Sequence, residues 1–106
     1  MIADVLTNDQ DVDPLEASLM ATVQKPGNVA LFGDPTTAVA WKALPSWYLI
    51  STDDRMIPPS LQQMCASRMQ ATTISFPSSH ASIVSHPFQV FALIQAAAKV
   101  GANKKE

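Results

Sequence analysis

The sequence predicts an α/β fold. Residues 46–106 read as a βαβα arrangement, two parallel strands with flanking helices, and residues 1–45 read as a mostly helical segment leading into it. Three observations carry this. Two short apolar or β-branched runs, Trp47-Tyr48-Leu49-Ile50 and Thr72-Thr73-Ile74-Ser75-Phe76, have the composition of strands. The stretch between them has helical periodicity and the length of a βαβ crossover, which is right-handed with parallel strands. Elsewhere the apolar residues recur at helical spacing, with prolines at the places where helices begin.

The elements follow in order. Residues 1–13 are a polar lead-in. Asp13-Pro14 is a capping side chain followed by proline where a missing N–H costs nothing, so a helix is expected over 14–24 with Leu15, Leu19, Met20 and Val23 on one face. Pro26 and Gly27 stop it. Residues 28–45 are ambiguous, with Asp34-Pro35 able to start a short helix through Thr36, Val39 and Trp41 that ends before Pro45. The run at 47–50 reads as a strand buried on both faces, and Ser51 to Arg55 as a polar break. Pro58 and Pro59 open a helix with Leu61, Met64, Cys65 and Met69 on its apolar face. After the second strand, Pro77 to His80 form a loop. Ser85 or His86 before Pro87 starts a last helix, with Val90, Phe91, Ile94, Ala97 and Ala98 expected inward. Gly101 is expected to end it, and Lys99, Lys104 and Lys105 suit its negative end.

Composition removes several function classes. Of the 106 residues 47% are hydrophobic and 15% charged, which is the balance of a folded chain. One cysteine, Cys65, excludes an internal disulfide and a multi-cysteine metal site. The three glycines lie far apart, so there is no glycine-rich phosphate loop. A net charge of −2 makes nucleic acid an unexpected partner. The first 13 residues are acidic and lack the apolar centre of a signal peptide, and no run of about 18 apolar residues predicts a membrane span. These features lead to the expectation of a cytoplasmic chain.

The charge is unevenly placed. Residues 1–54 hold eight of the nine acids, and no carboxylate side chain occurs between Arg55 and Lys105. In parallel sheets, ligands and catalytic groups collect beyond the carboxyl ends of strands. Asp53 and Asp54 follow the first strand and His80 the second. His80 has no acid nearby in sequence, so a carboxylate partner has to come from the end of the neighbouring strand. An aspartate bonded to one imidazole nitrogen leaves the other as a base, which is two thirds of a Ser-His-Asp triad.

The segments LPSWYLISTDDRMIPP (44–59) and FPSSHASIVSHP (76–87) resemble the last third of an α/β-hydrolase, and most closely the bacterial esterase-like group of that superfamily. The resemblance implies that residues 46–106 are the C-terminal βαβα part of the α/β-hydrolase fold and that 14–45 are the end of a cap and its return to the core. It puts the triad acid on Asp54, with Asp53 its neighbour, and the triad histidine on His80. It implies no cofactor and no metal, and a small ester-like substrate for the intact parent.

The departure from that family is equally definite. No G-x-S-x-G nucleophile elbow and no glycine-rich oxyanion segment occurs in the sequence. The expectation is a C-terminal fragment that carries the acid and the histidine but no nucleophile, with a missing N-terminal half or a second copy as its partner. The alternative is an inactive remnant or interaction module that pairs through an exposed sheet edge. Other residues take simpler readings. His86 is a helix-start residue, and Cys65 an inert thiol on a helix face. Ser78, Ser79 and Ser82 lack a strained elbow to present them. Asp53, Asp54, His80 and His86 lack the spacing of a metal site. Trp41, Trp47 and Tyr48 are packing residues.

Overall fold

The apolar run that follows Pro45 becomes strand β1 (Trp47–Ser51), and the β-branched run becomes β2 (Thr72–Phe76). The computed structural model describes Thr7 and residues 11–103. The strands pair in parallel, with Trp47 opposite Thr72 and Ser51 opposite Phe76. Among the described residues they form a two-stranded sheet. Among those residues, neither strand has an outer neighbour. That is why Trp47, Tyr48 and Leu49 are only half-buried, where the sequence predicts burial on both faces, and only Ile50 and Ser51 are fully covered.

Among the described residues, the helices with full bounds are α1 (Pro14–Thr22), α2 (Ala30–Gly33), α3 (Pro59–Arg68), α4 (Ser82–Ser85) and α5 (Pro87–Asn103), with a 3-10 turn at Ala40–Lys42. The start of α1 follows the expected logic. Asp13 Oδ1 accepts the amides of Leu15 and Glu16 at 2.9 and 3.3 Å, and Pro14 occupies the first helical position. Its inward face differs from the periodic one. Ala17 is buried with Val12 and Ala81, and Met20 and Val84 pack around them, while Leu15, Leu19 and Val23 are exposed. Through this cluster the N-terminal segment rests on the region just after His80.

In residues 28–45 the helix comes earlier than Asp34-Pro35. Asn28 Oδ1 accepts the Ala30 amide at 2.9 Å, and Asp34 ends α2 by donating its own amide to Ala30 O. The residues expected to be helical, Thr36 to Trp41, contribute only to the 3-10 turn. Lys42 and Arg68 each place their charge over the Trp41 ring there, 5.7 and 5.8 Å from its centroid.

The α3 helix starts as predicted, with Pro59 in its first turn, but buries a different face. Gln62 and Ala66 are buried and Cys65 and Met69 half-buried; Leu61 and Met64 point outward. The polar partners of Gln62, described below, account for that rotation. The helix stops without a glycine. Gln70 takes a left-handed conformation (φ 52°), and the amides of Gln70 and Ala71 reach back to Ser67 O and Ala66 O, both at 3.0 Å. This is a complete Schellman ending.

The short α4 was not expected between His80 and Pro87. The last helix runs through Gly101, which has no positive φ and so does not terminate it. Val90, Leu93 and Ala97 form its half-buried side, whereas Phe91 and Ile94, expected inward, are each 60% exposed. Lys104 and Lys105 lie outside the described residues, as do residues 1–6 and 8–10 of the lead-in.

The result is an open body. Its radius of gyration is 15.8 Å, against about 13 Å for a compact chain of this length. It exposes 8035 Å², roughly 2,200 Å² more than a folded monomer of its mass.

Candidate active site

The parallel register brings the two polar loops to one edge of the sheet. The Thr52 amide continues the ladder to Phe76 O at 3.2 Å, and the Asp53 amide crosses to Ser78 O at 3.1 Å. The acid loop and the histidine loop are thus tied to each other by backbone.

Asp54 is held from every side. Its Oδ1 accepts the amides of Met56 (2.8 Å) and Ile57 (3.0 Å), closing the turn that leads into α3. Its Oδ2 accepts from the Gln62 side-chain amide at 3.0 Å and lies 2.8 Å from His80 Nδ1. The Asp54 side chain is 3% exposed and that of His80 39%. An ionised carboxylate is acceptor-only, so Nδ1 carries the shared proton and the neutral ring keeps its lone pair on Nε2. The carboxylate is covered and the imidazole half open. Burial works to raise the Asp54 pKa. The His80 hydrogen bond and the amides of Ile57 and Met56 outweigh it and hold the pKa below the usual carboxylate value.

The histidine loop is anchored independently. Ser78 and Ser79 are each 1% exposed. Ser78 Oγ donates to Ser79 O, and Ser79 Oγ accepts the Ala81 amide, both at 3.1 Å. The Ser79 amide donates to Asp11 Oδ2 at 2.7 Å, a bond spanning 68 residues of sequence. The other Asp11 oxygen is buried without a partner. A cleft of about 410 Å³ opens between the loops, lined by Asp11, Asp53, Asp54, Arg55, Ser78 and Ser79 among others.

The structure therefore joins His80 to Asp54. Asp53 is exposed on the cleft. His86 is elsewhere, sharing a 2.8 Å hydrogen bond with Ser85 Oγ and lying against the Phe76 ring at 4.9 Å between centroids. Among the described residues no hydroxyl or thiol is hydrogen-bonded to His80 Nε2, and no group of three His, Cys, Asp or Glu side chains is arranged to hold a metal ion. Among them, too, no helix is long and apolar enough to cross a membrane. Sequence reasoning missed two residues at this site. Gln62 carried no signal, because a glutamine on a helix reads as solvent-facing. Asp11 carried none, because its partner is a backbone amide far along the chain.

A parallel β-α-β unit that ends in a hydrogen-bonded aspartate after one strand and a histidine after the next belongs to the α/β class of hydrolase-like folds. The family model described as the alpha/beta hydrolase family matches residues 2–93, and the chain belongs to that family. No curated protein and no solved structure matches it.

Proposed function

We propose that Asp54 and His80 are the acid and the base of a serine-hydrolase triad acting on an ester or related small acyl substrate. The observation that carries this reading is the 2.8 Å bond between a covered carboxylate and the Nδ1 of a half-exposed imidazole. In this role His80 Nε2 takes the proton of an attacking serine and returns it to the leaving group. Asp54 holds the tautomer and stabilises the imidazolium as it forms. The serine and the oxyanion donors come from a segment outside these 106 residues, in the same polypeptide or a partner. Ser78 and Ser79 are unsuited to the role, being buried with their hydroxyl oxygens already engaged.

The test is cleavage of short-chain aryl esters. The 106-residue chain alone is expected to show no turnover beyond that of free imidazole. Joined to or mixed with a serine-bearing hydrolase segment, it is expected to turn over ester in a manner that His80→Ala abolishes. Turnover that survives His80→Ala overturns the assignment.

A second reading, a module whose open faces pair with another polypeptide, is favoured by the surface excess of roughly 2,200 Å². Matched by an equal area on a partner, it comes to roughly 4,500 Å² in total, within the range of obligate interfaces. The readings are compatible where the partner brings the serine. They part where the chain pairs only with itself.

A further inference from the structure

Gln62 is the one buried side chain of α3 with hydrogen-bonding groups, and it is 4% exposed. All its polar atoms are engaged. Its Oε1 accepts the Ser51 amide at 3.0 Å, and its Nε2 donates to Ile57 O at 2.8 Å and to Asp54 Oδ2 at 3.0 Å. One partner is a donor and two are acceptors, so the amide has a single allowed orientation: a flip would set Nε2 against the Ser51 N–H and Oε1 against two oxygens. The Ser51 amide is itself fixed. The next amide, that of Thr52, bonds to β2, and successive amides of a strand point to opposite sides. That of Ser51 therefore faces away from β2, where Gln62 takes the place of a neighbouring strand.

We infer that Gln62 is a positioning residue for the Asp54–His80 pair. Anchored to the end of β1 and to the turn before α3, its amide fixes the carboxylate oxygen that receives His80 Nδ1. The inference rests on the proposed triad. The two backbone amides on Oδ1 restrain one side of the Asp54 carboxylate, and Gln62 is the only other group besides His80 that bonds Oδ2 among the described residues. Without it, the oxygen facing the histidine is restrained only by the histidine it has to orient. A buried polar network of this kind specifies geometry when every member is satisfied.

The test reads the tautomer of His80 from its ring 15N chemical shifts in the 106-residue chain, at a pH where those shifts report a neutral ring. The wild type is expected to hold the proton on Nδ1, and Asp54→Asn to release it to the Nε2–H form that free imidazole side chains prefer. If the wild type is already in the Nε2–H form, or Asp54→Asn changes nothing, the Asp54–His80 pairing fails and the triad with it. If that control behaves, Gln62 is judged separately. Gln62→Met and Gln62→Leu are each expected to lose most of the Nδ1–H population while the β1 and β2 amide resonances stay in place. Leucine and methionine both remove the amide at similar volume and add no charge beside Asp54, so Gln62→Leu decides the matter if the methionine variant does not fold. Ala66→Gly, one turn along the same buried face, loosens α3 without touching the carboxylate and is expected to leave the tautomer unchanged. An unchanged tautomer in a folded Gln62→Met or Gln62→Leu, or an equal loss in Ala66→Gly, overturns the positioning role and leaves the triad standing.

Discussion

Asp54 accepts four hydrogen bonds in a site where its side chain is almost fully covered, and this fixes how the site responds to acid. Its folded pKa lies below the unfolded value, so the carboxylate contributes stability that is fully present above the ordinary aspartate range, about pH 4, and is lost as pH falls through the folded pKa. Denaturant unfolding followed against pH is expected to show that acid limb. In His80→Ala, where the largest favourable interaction is gone, the Asp54 pKa rises and the limb moves to higher pH. A limb that stays in place in His80→Ala contradicts the pairing. At this scale the sequence was informative about the pair: a carboxylate-free stretch around His80 left the neighbouring loop as the source of its acid. It did not separate Asp53 from Asp54 on pattern alone. What separates them is a turn in which Met56 and Ile57 present their amides to one carboxylate and not to the other. Gln62 was not legible because a glutamine on a helix reads as a solvent-facing residue until its three partners are in place.

Helices were legible where they begin and poorly legible in which way they face. Asp13-Pro14 and Pro58-Pro59 start α1 and α3 by local chemistry that needs no tertiary partner. The inward face depends on what lies opposite. In α1 the covered residue is Ala17 rather than Leu15 or Leu19, and in α5 it is the line of Val90, Leu93 and Ala97 rather than Phe91 and Ile94. An apolar stripe does not reveal its neighbour when a helix is apolar on more than one side. The end of α3 was hidden for a different reason. A Schellman ending is usually marked by glycine, and here Gln70 takes the left-handed position. That conformation costs a non-glycine residue roughly 1–2 kcal/mol. Glycine removes this strain but costs roughly 0.5–1 kcal/mol in backbone entropy. Gln70→Gly is therefore expected to stabilise the chain by about 0.5–1 kcal/mol, read as a higher denaturation midpoint with an unchanged slope. Asp13→Ala is expected to act in the opposite direction by about 1 kcal/mol, through loss of the cap on α1.

Across the whole molecule, a two-stranded sheet among the described residues leaves Phe88, Phe91 and Ile94 uncovered along α5, and Leu15 and Leu19 along α1. A helix apolar on two sides implies a second layer against it. Light scattering coupled to size exclusion is expected to show the isolated chain associating as its concentration rises, with Phe88→Ser and Phe91→Ser shifting it toward monomer. Elution as a monomer at every concentration contradicts that expectation. The family, the strand pairing and the loops at the strand ends could all be read in the sequence, since each depends on local pattern and right-handed crossover. An exposed sheet edge was expected from the sequence as well; which helix faces stay uncovered was not, because burial is a property of what stands across from each element.

The central claim is that Asp54 orients His80 for acyl transfer. Its most direct test is kcat for ester cleavage by Asp54→Asn, in a polypeptide that joins this chain to a serine-bearing hydrolase segment. The account predicts a fall on the order of 10⁴-fold, because an asparagine favours the wrong imidazole tautomer, with a far smaller effect from Asp53→Asn. An Asp54→Asn enzyme that keeps the wild-type kcat, or a larger loss in Asp53→Asn, would contradict it.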